Sequence, residues 1–497
     1  MKKLGLSLIL SATLFSAEDF ESYKQNVINE YNDYYQKEMK AFKAFVETAD
    51  GIPNKVNPYQ NMSVIPPKPV VKAPTVKVEK PIQPVAKPKN TMPDNTPSES
   101  QLKTVKINQI DPNKLTKPET PPVVKTPSVV TPQMFSLAFF GSNIAINPDV
   151  VAFTKKLPSS GDTSKIAENI KANDAALVKE LLRAKAEYNL NDWDSFVLIQ
   201  TLVNTLYAKE AKLTKTLHAI DLLRGMGYKA RFAEGEDKSP YLLISIKQQV
   251  YSKSFYDKDG SRFYIFAVDA HPRANYTQPI YFFNSPDDGI GKPVDMVMHK
   301  NPNIGKNDSP IKLSWDFEGK QYQMIVKANG ELAALMDMYP QADYGIYMQS
   351  RSGSPLVKEI SSSLMGGIKK NNFSKEKAIA FVLRFSQKAF TYKTDFDAYG
   401  FERPFFVEQT ILLPYSDCED RATLLSHLYR EIFGYDSVGL HYPGHMSLAV
   451  AYDGKGVDYY NIDGQKYYVT DGTYFYAPPG VSQPSFKGAK AGFVLTK

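Results

Sequence analysis

The chain has one cysteine, Cys418, set in Pro414-Tyr415-Ser416-Asp417-Cys418-Glu419-Asp420-Arg421-Ala422. A lone thiol excludes an internal disulfide framework and a cysteine-rich zinc or iron–sulfur site. Nucleophilic chemistry is what it leaves open. Ala422, Leu425, Tyr429 and Ile432, with Leu424 and Leu428, recur at helical spacing after it, and Gly434 is the residue type that ends a helix. Asp417 is a suitable N-cap. Cys418 therefore falls in the first helical turn, where free N–H groups and the helix dipole favour a thiolate. Glu419 and Asp420 oppose that charge, so the thiol needs an imidazole beside it.

A candidate imidazole follows. Ser437 to Tyr452 contains Tyr442-Pro443-Gly444-His445, and apolar alternation from about Met446 to Tyr452 marks a strand that His445 opens. A second strand, Gln465 to Thr470, ends at Asp471-Gly472-Thr473-Tyr474. Asp453-Gly454 and Asp463-Gly464 are turn pairs. Adjacent strands can set Asp471 beside His445, so that the carboxylate orients the ring and the ring takes the thiol proton. Competing residues fit less well. His427 lies mid-helix, His441 lacks the Gly-His strand start, and Asp463 reads as a hairpin residue. Asp257-Lys258-Asp259-Gly260 resembles part of a calcium loop, but no glutamate follows at the required spacing, so a turn is expected there.

With these motifs in this order, the C-terminal part resembles the transglutaminase-like superfamily, above all its bacterial cysteine-peptidase-like members. The carrying residues are Asp417-Cys418-Glu419-Asp420-Arg421-Ala422, Tyr442-Pro443-Gly444-His445 and Tyr467 to Tyr474, within roughly 373–480. Ser416 stands where glycine is common in that family, and Gly472 where proline is common. The resemblance implies a papain/transglutaminase-like α+β domain with Cys418 as nucleophile, His445 as general base and acid, and Asp471 as orienter. An oxyanion hole needs donors beside the thiol. The Cys418 backbone N–H is the natural first, and Gln409 and Tyr415 are candidates for the second. No metal or organic cofactor is indicated.

Further elements must position this constellation. Lys375 to Phe390 reads as an amphipathic helix before the motif. Residues 190–270 repeat the order of helix, helix and strands. Gly227-Tyr228 echoes Gly434-Tyr435, which lays Cys418 on Ala211, His445 near Lys238 to Tyr241, and Asp471 between Tyr264 and Asp269. The expectation is a degenerate transglutaminase-like domain over 135–279, without a nucleophile, that shapes or covers the cleft. His218 in it reads as a packed or surface histidine. Residues 280–365 read as a small β module, and 366–497 as the catalytic domain.

The N-terminal part is of another kind. Lys2-Lys3, an apolar run from Leu4 to about Phe15 and Ser16-Ala17 make a signal peptide over 1–17, and the run is too short to span a bilayer. Over 18–50, Phe20, Tyr23, Val27, Tyr31, Tyr35, Met39, Phe42 and Val46 form the stripe of an amphipathic helix. That helix either lies on its own protein or docks on a partner. Residues 51–134 are a Pro/Lys-rich linker of polyproline II type. Between Pro53 and Pro132 stand 17 of the 34 prolines, and residues 51–132 hold twelve lysines against five acids, which accounts for the whole formal net charge of +7. A basic nucleic-acid-binding face is thereby disfavoured. An exported, periplasmic protein is expected, acting on a peptide or protein substrate, with a possible tie to the cell envelope through the helix and linker. The reading from another class is a non-catalytic envelope scaffold using two such folds for recognition. A peptidoglycan amidase is a third.

Overall fold

The computed structural model describes residues 134–154, 163–282, 289–350 and 355–496. The leader, the amphipathic helix and all of the linker but its last residue lie outside them. The described chain is mixed α+β with two five-stranded antiparallel sheets.

A hairpin, β1 (Phe135–Phe139) and β2 (Ser142–Ile146), leads into α1 (Pro148–Thr154), α2 (Thr163–Glu187), α3 (Asp192–Leu206) and α4 (Lys212–Gly225). Helix α3 is apolar nearly all round and buries Trp193, Phe196, Ile199, Leu202 and Val203, as a core helix should. After α4, β3 (Ala230–Gly235), β4 (Pro240–Ser245), β5 (Phe255–Lys258), β6 (Ser261–Phe266) and β7 (Ile280–Phe282) form a sheet in the order β5-β6-β4-β3-β7.

The C-terminal half repeats the plan. It runs through α8 (Lys375–Lys388), α9 (Asp395–Tyr399), α10 (Val407–Leu412) and α11 (Cys418–Phe433). Then β10 (Ser437–Tyr442), β11 (His445–Ala451), β12 (Tyr459–Ile462), β13 (Gln465–Thr470) and β14 (Gly492–Leu495) form a sheet in the order β12-β13-β11-β10-β14. With β3 matched to β10, the two strand orders coincide. The turns agree as well. Asp259-Gly260 joins β5 to β6 and Asp463-Gly464 joins β12 to β13, all four residues at positive φ, the conformation of a type I′ hairpin.

The strand register fixes the correspondence more closely than the sequence does. Ala451 faces Tyr467 and Leu448 faces Thr470, while Ser245 faces Phe263 and Leu242 faces Phe266. Counting on, Ser239 stands at the position of His445 and Ala267 at that of Asp471, both inside the expected ranges. Helix α4 starts at Lys212, one residue beyond the Ala211 expected opposite Cys418. The first sheet therefore has no thiol, imidazole or carboxylate at the three matching places.

The stretch 280–365 departs from the expected β module. Strand β7 belongs to the first sheet, paired with β3. The hairpin β8 (Asp308–Phe317) and β9 (Lys320–Asn329) follows, and then three helices, α5 (Gly330–Asp337), α6 (Tyr344–Gln349) and α7 (Pro355–Lys370). The inner face of the hairpin, Leu313, Trp315, Phe317, Met324 and Val326, joins one core with Phe381 and Phe385 of α8 and Leu424, Leu425 and Leu428 of α11. Two strands cannot bury a face by themselves, so this hairpin is a wall of the C-terminal core. The halves meet through Phe406, whose ring lies 5.1 Å from Tyr339 and 4.8 Å from Tyr347, and through Asp337, which pairs with both Arg273 and Arg403. Because the Trp315 ring packs edge-on to Phe385 at 5.1 Å, Trp315→Ala is expected to cost about 3–5 kcal/mol. Denaturant unfolding measures it, and a loss under about 1 kcal/mol would mean that the hairpin is peripheral.

Candidate active site

The segment before α11 is pinned on both sides. Ser416 N–H donates to Thr391 O at 3.1 Å, and Lys393 N–H donates to Ser416 O at 3.4 Å. Asp417 is the N-cap, and the Asp420 carboxylate accepts its N–H at 3.1 Å, half of a capping box. The Asp417 carboxylate turns away to accept the Asp395 N–H at 3.2 Å. At the far end Gly434 takes φ +68°, with its N–H on Arg430 O and the Tyr435 N–H on Tyr429 O, a glycine C-cap as the sequence implied.

Cys418 is thereby presented, half-buried, at the edge of a cleft of about 980 Å³ that His445 also lines. His445 opens β11, paired with Tyr442 across the Pro443-Gly444 turn. The backbone N–H of the next residue, Met446, favours the charged form of the Cys418 sulfur. The imidazole is buried and stacks on Phe486 at 4.6 Å with 15° between planes. Its Nε2 donates to Asp471 Oδ2 at 2.8 Å. The proton on Nε2 leaves Nδ1 as the basic nitrogen.

Asp471 is held in turn. Its Oδ1 accepts from Thr473 N at 2.8 Å, Thr473 Oγ1 at 2.8 Å and Tyr474 N at 3.0 Å, while Gln483 Nε2 donates to Oδ2 at 3.0 Å. Burial works to raise this carboxyl, but the bonds from His445 and Thr473 outweigh it and hold Asp471 below its ordinary value. Two side chains of the helical layer grip the same loop. Gln387 Nε2 donates to the carbonyls of Asp471, Tyr474 and Ala477. The fully buried Arg421 donates to Ser416 Oγ and to the carbonyls of Gln387, Gly472 and Phe390. Gly472 has no room for a side chain, because a Cβ there would stand 2.9 Å from Ser386 Oγ and 3.0 Å from the Arg421 Cβ.

The resting thiol is not a thiolate. Its S–H donates to Glu419 Oε2 at 3.1 Å. Burial, with Asp417 next, pushes Cys418 up to about 12. The acids form a buried group of Asp395, Asp417, Glu419 and Asp420, with Glu402 close by. Burial first and mutual repulsion second raise Asp395 to about 8, Asp417 to about 6, and Glu419 and Asp420 well above the carboxylate range. Ligand atoms in the sets Asp395–Asp417–Asp420 and Asp395–Glu402–Glu419 lie within 4.8 Å of one another. Oxygen donors at that spacing suit a hard cation, and they equally suit acids that share protons.

The expected residues separate into those in the cleft and those away from it. Cys418 and His445 line it, and Asp471 stands behind His445. Gln409 does not reach it. Its Oε1 accepts the Phe406 N–H at 3.2 Å, closing the start of α10, and its side chain lines a separate small cavity. Tyr415 is not among the lining residues and sits under Lys393, 4.9 Å from its ring. Neither candidate is therefore placed as a second oxyanion donor. His427 is buried on the carbonyl of Tyr347 at 3.4 Å, and burial pushes it down to about 4. His441, set aside for lacking the Gly-His strand start, does line the cleft and packs on Tyr344 at 5.4 Å. Of the packed and surface readings of His218, the packed one holds: it bonds Asp174 at 3.0 Å and stacks on Tyr207.

The raised acids set a pH dependence of stability. Asp395 titrates at about 8 when folded against 3.8 ordinarily. Between those values the folded chain keeps a proton that the unfolded chain has lost, so stability falls as pH rises across the window. Asp395→Asn removes that dependence and keeps an oxygen to accept the Arg403 N–H. The variant is expected to gain melting temperature over the parent at pH 8 and to gain little or nothing at pH 4.5. Calorimetry at the two pH values checks it, and equal effects at both would contradict the assignment.

No protein family, curated protein or solved structure matches this chain in the comparisons made.

Proposed function

We propose that the chain is a thiol hydrolase of transglutaminase-like type, acting on an amide bond through Cys418, His445 and Asp471. One observation carries the reading: His445 is fixed through Nε2 on a buried carboxylate, with Nδ1 unused, in the same cleft as a cysteine that starts a helix. The ring would accept the Cys418 proton as the sulfur attacks the amide carbon, and would then return it to the leaving amine. The helix N-terminus and the Cys418 backbone N–H would stabilise the oxyanion. Water attacking the acyl-enzyme completes hydrolysis, and an amine in its place completes transfer. The neutral resting thiol fits concerted proton transfer better than a standing ion pair, and the S–H must leave Glu419 for the imidazole. The N-terminal half would be a degenerate copy that supplies the facing wall of the cleft. Export to the periplasm, and a tie to the cell envelope through the helix and linker, belong to the same proposal. The charges at 51–132 support an acidic envelope contact. Among the described residues no helix is long and apolar enough to cross a membrane.

The elevated thiol also favours a second reading, a non-catalytic envelope scaffold that uses the two sheets for recognition. Thiol labelling separates the two. With an iodoacetamide-type probe at pH 7.5, Cys418 in the parent is expected to label at least tenfold faster than in His445→Ala, with Asp471→Asn between them. Equal, slow labelling in all three would favour the scaffold. Digestion of sacculi against unfolded protein then distinguishes a peptidoglycan amidase from a peptidase.

A further inference from the structure

The wall of the cleft that faces Cys418 comes from the N-terminal half and carries a buried amine that the chemistry above does not use. Lys253 lines the cleft yet is only 4% exposed. Its Nζ donates to the carbonyl of Ala274 and lies 4.2 Å from the centre of the Phe266 ring and 5.6 Å from that of Tyr276. Among the described residues no carboxylate lies within ion-pair distance of it, and its charged neighbours His271 and Arg273 are cationic or neutral. Arg273 is already spent on Asp337. Burial alone accounts for the fall of the Lys253 amine to about 7.

The backbone is built to hold this side chain inward. Ser252 takes φ +53°, a left-handed conformation that a non-glycine residue adopts only when its surroundings impose it. The flanking bonds are Tyr251 N–H to Gln341 O at 2.9 Å, Ser254 N–H to Asn275 Oδ1 at 2.7 Å and Ile265 N–H to Ser254 O at 3.1 Å. A buried ammonium without a counter-ion is costly. Here it stands on two aromatic faces at the edge of a cavity wide enough for a peptide. Burial weakens the proton on this amine, and an anion brought by a ligand would hold it there.

We propose that Lys253 is the anion-reading residue of the cleft and that the preferred ligand is a peptide carrying a carboxylate near the bond presented to Cys418. The inference rests on the cleft being the substrate site, as proposed above. The acids of the opposite wall do not forbid it. Of the acids that line the cleft, Asp395 and Glu419 are raised enough to hold protons at neutral pH, while Asp417 is raised only to about 6, so the acid wall keeps negative charge and directs a ligand carboxylate to the Lys253 side. The carboxylate could belong to a side chain or to a chain end, and both give Lys253 the same partner.

The test uses the full chain as Cys418→Ala, which binds without turnover and is independent of whether the thiol is active. The probes are acetyl-Ala-Ala-Glu-Ala-Ala-amide against its Gln counterpart, and acetyl-tetra-alanine with a free carboxyl terminus against its amide. Affinities come from calorimetric titration or ligand-observed NMR at pH 7. At least one carboxylate peptide is expected to bind tenfold or more tightly than its neutral partner, and which pair shows it identifies the source. The preference is expected to vanish in Cys418→Ala/Lys253→Met, whose apolar side chain of similar length should preserve the fold. Lys253→Gln serves if the methionine variant does not fold. Absence of any carboxylate preference, or a preference that survives loss of Lys253, overturns the proposal. Failure of the hydrolase reading would show instead as Cys418 labelling that does not depend on His445.

Discussion

The buried guanidinium of Arg421 is the constraint on which the site depends. It sits one turn into the helix that Cys418 begins, and it donates to the segment before that helix, to the end of α8 and to the backbone after Asp471. Three stretches far apart in sequence are thereby held at one point. A guanidinium suits this because it offers five donors in a rigid plane, and burial is tolerable only when those donors are used. Gln387 grips the same loop from α8 with three further carbonyls. The Asp471 carboxylate is consequently fixed, and through it the His445 ring.

Around this rigid core the electrostatics are delicately set. Four acids are buried near one another, which raises their proton affinity and raises the thiol with them. Against that stand the helix dipole and the Met446 N–H at the sulfur. The two carboxylates that matter most are pushed apart by their settings. Asp471, supplied with donors, stays ionised, while Glu419, buried among other acids, holds its proton. Environments that drive similar groups to opposite charge states are what acid–base chemistry uses.

Two halves of like plan supply the two walls of the cleft. The two sheets share strand order and hairpin turns, yet the first has Ser239 and Ala267 where the second has His445 and Asp471. Its loops carry other groups, and Lys253 follows the strand pair β3–β4 on the cleft side. The halves are locked by apolar stacking at Phe406 and by the shared carboxylate of Asp337, so the distance between walls is a property of the fold.

Much of the site was legible in the order of residues. Cys418 after Asp417, His445 after Pro443-Gly444, and Asp471 at a strand end are local patterns, because caps, turns and strand starts depend on a few neighbouring residues. The repeat was legible for the same reason, as periodicity closed by Gly-Tyr. Other features were decided only in three dimensions. Glu419 and Asp420 read as first-turn acids that oppose a thiolate, and are buried because α9 and the chain to Phe405 cover them. Gln409 read as a donor to the oxyanion, but the first turn of α10 takes its oxygen. The hairpin at 308–329 read as part of a separate module, but its apolar face needs α8 and α11 to cover it. Sequence by itself determined which side chains could react and how the backbone presents each. Tertiary structure decided their charge and what faces them, because burial and proximity come from segments hundreds of residues away, which no local pattern encodes.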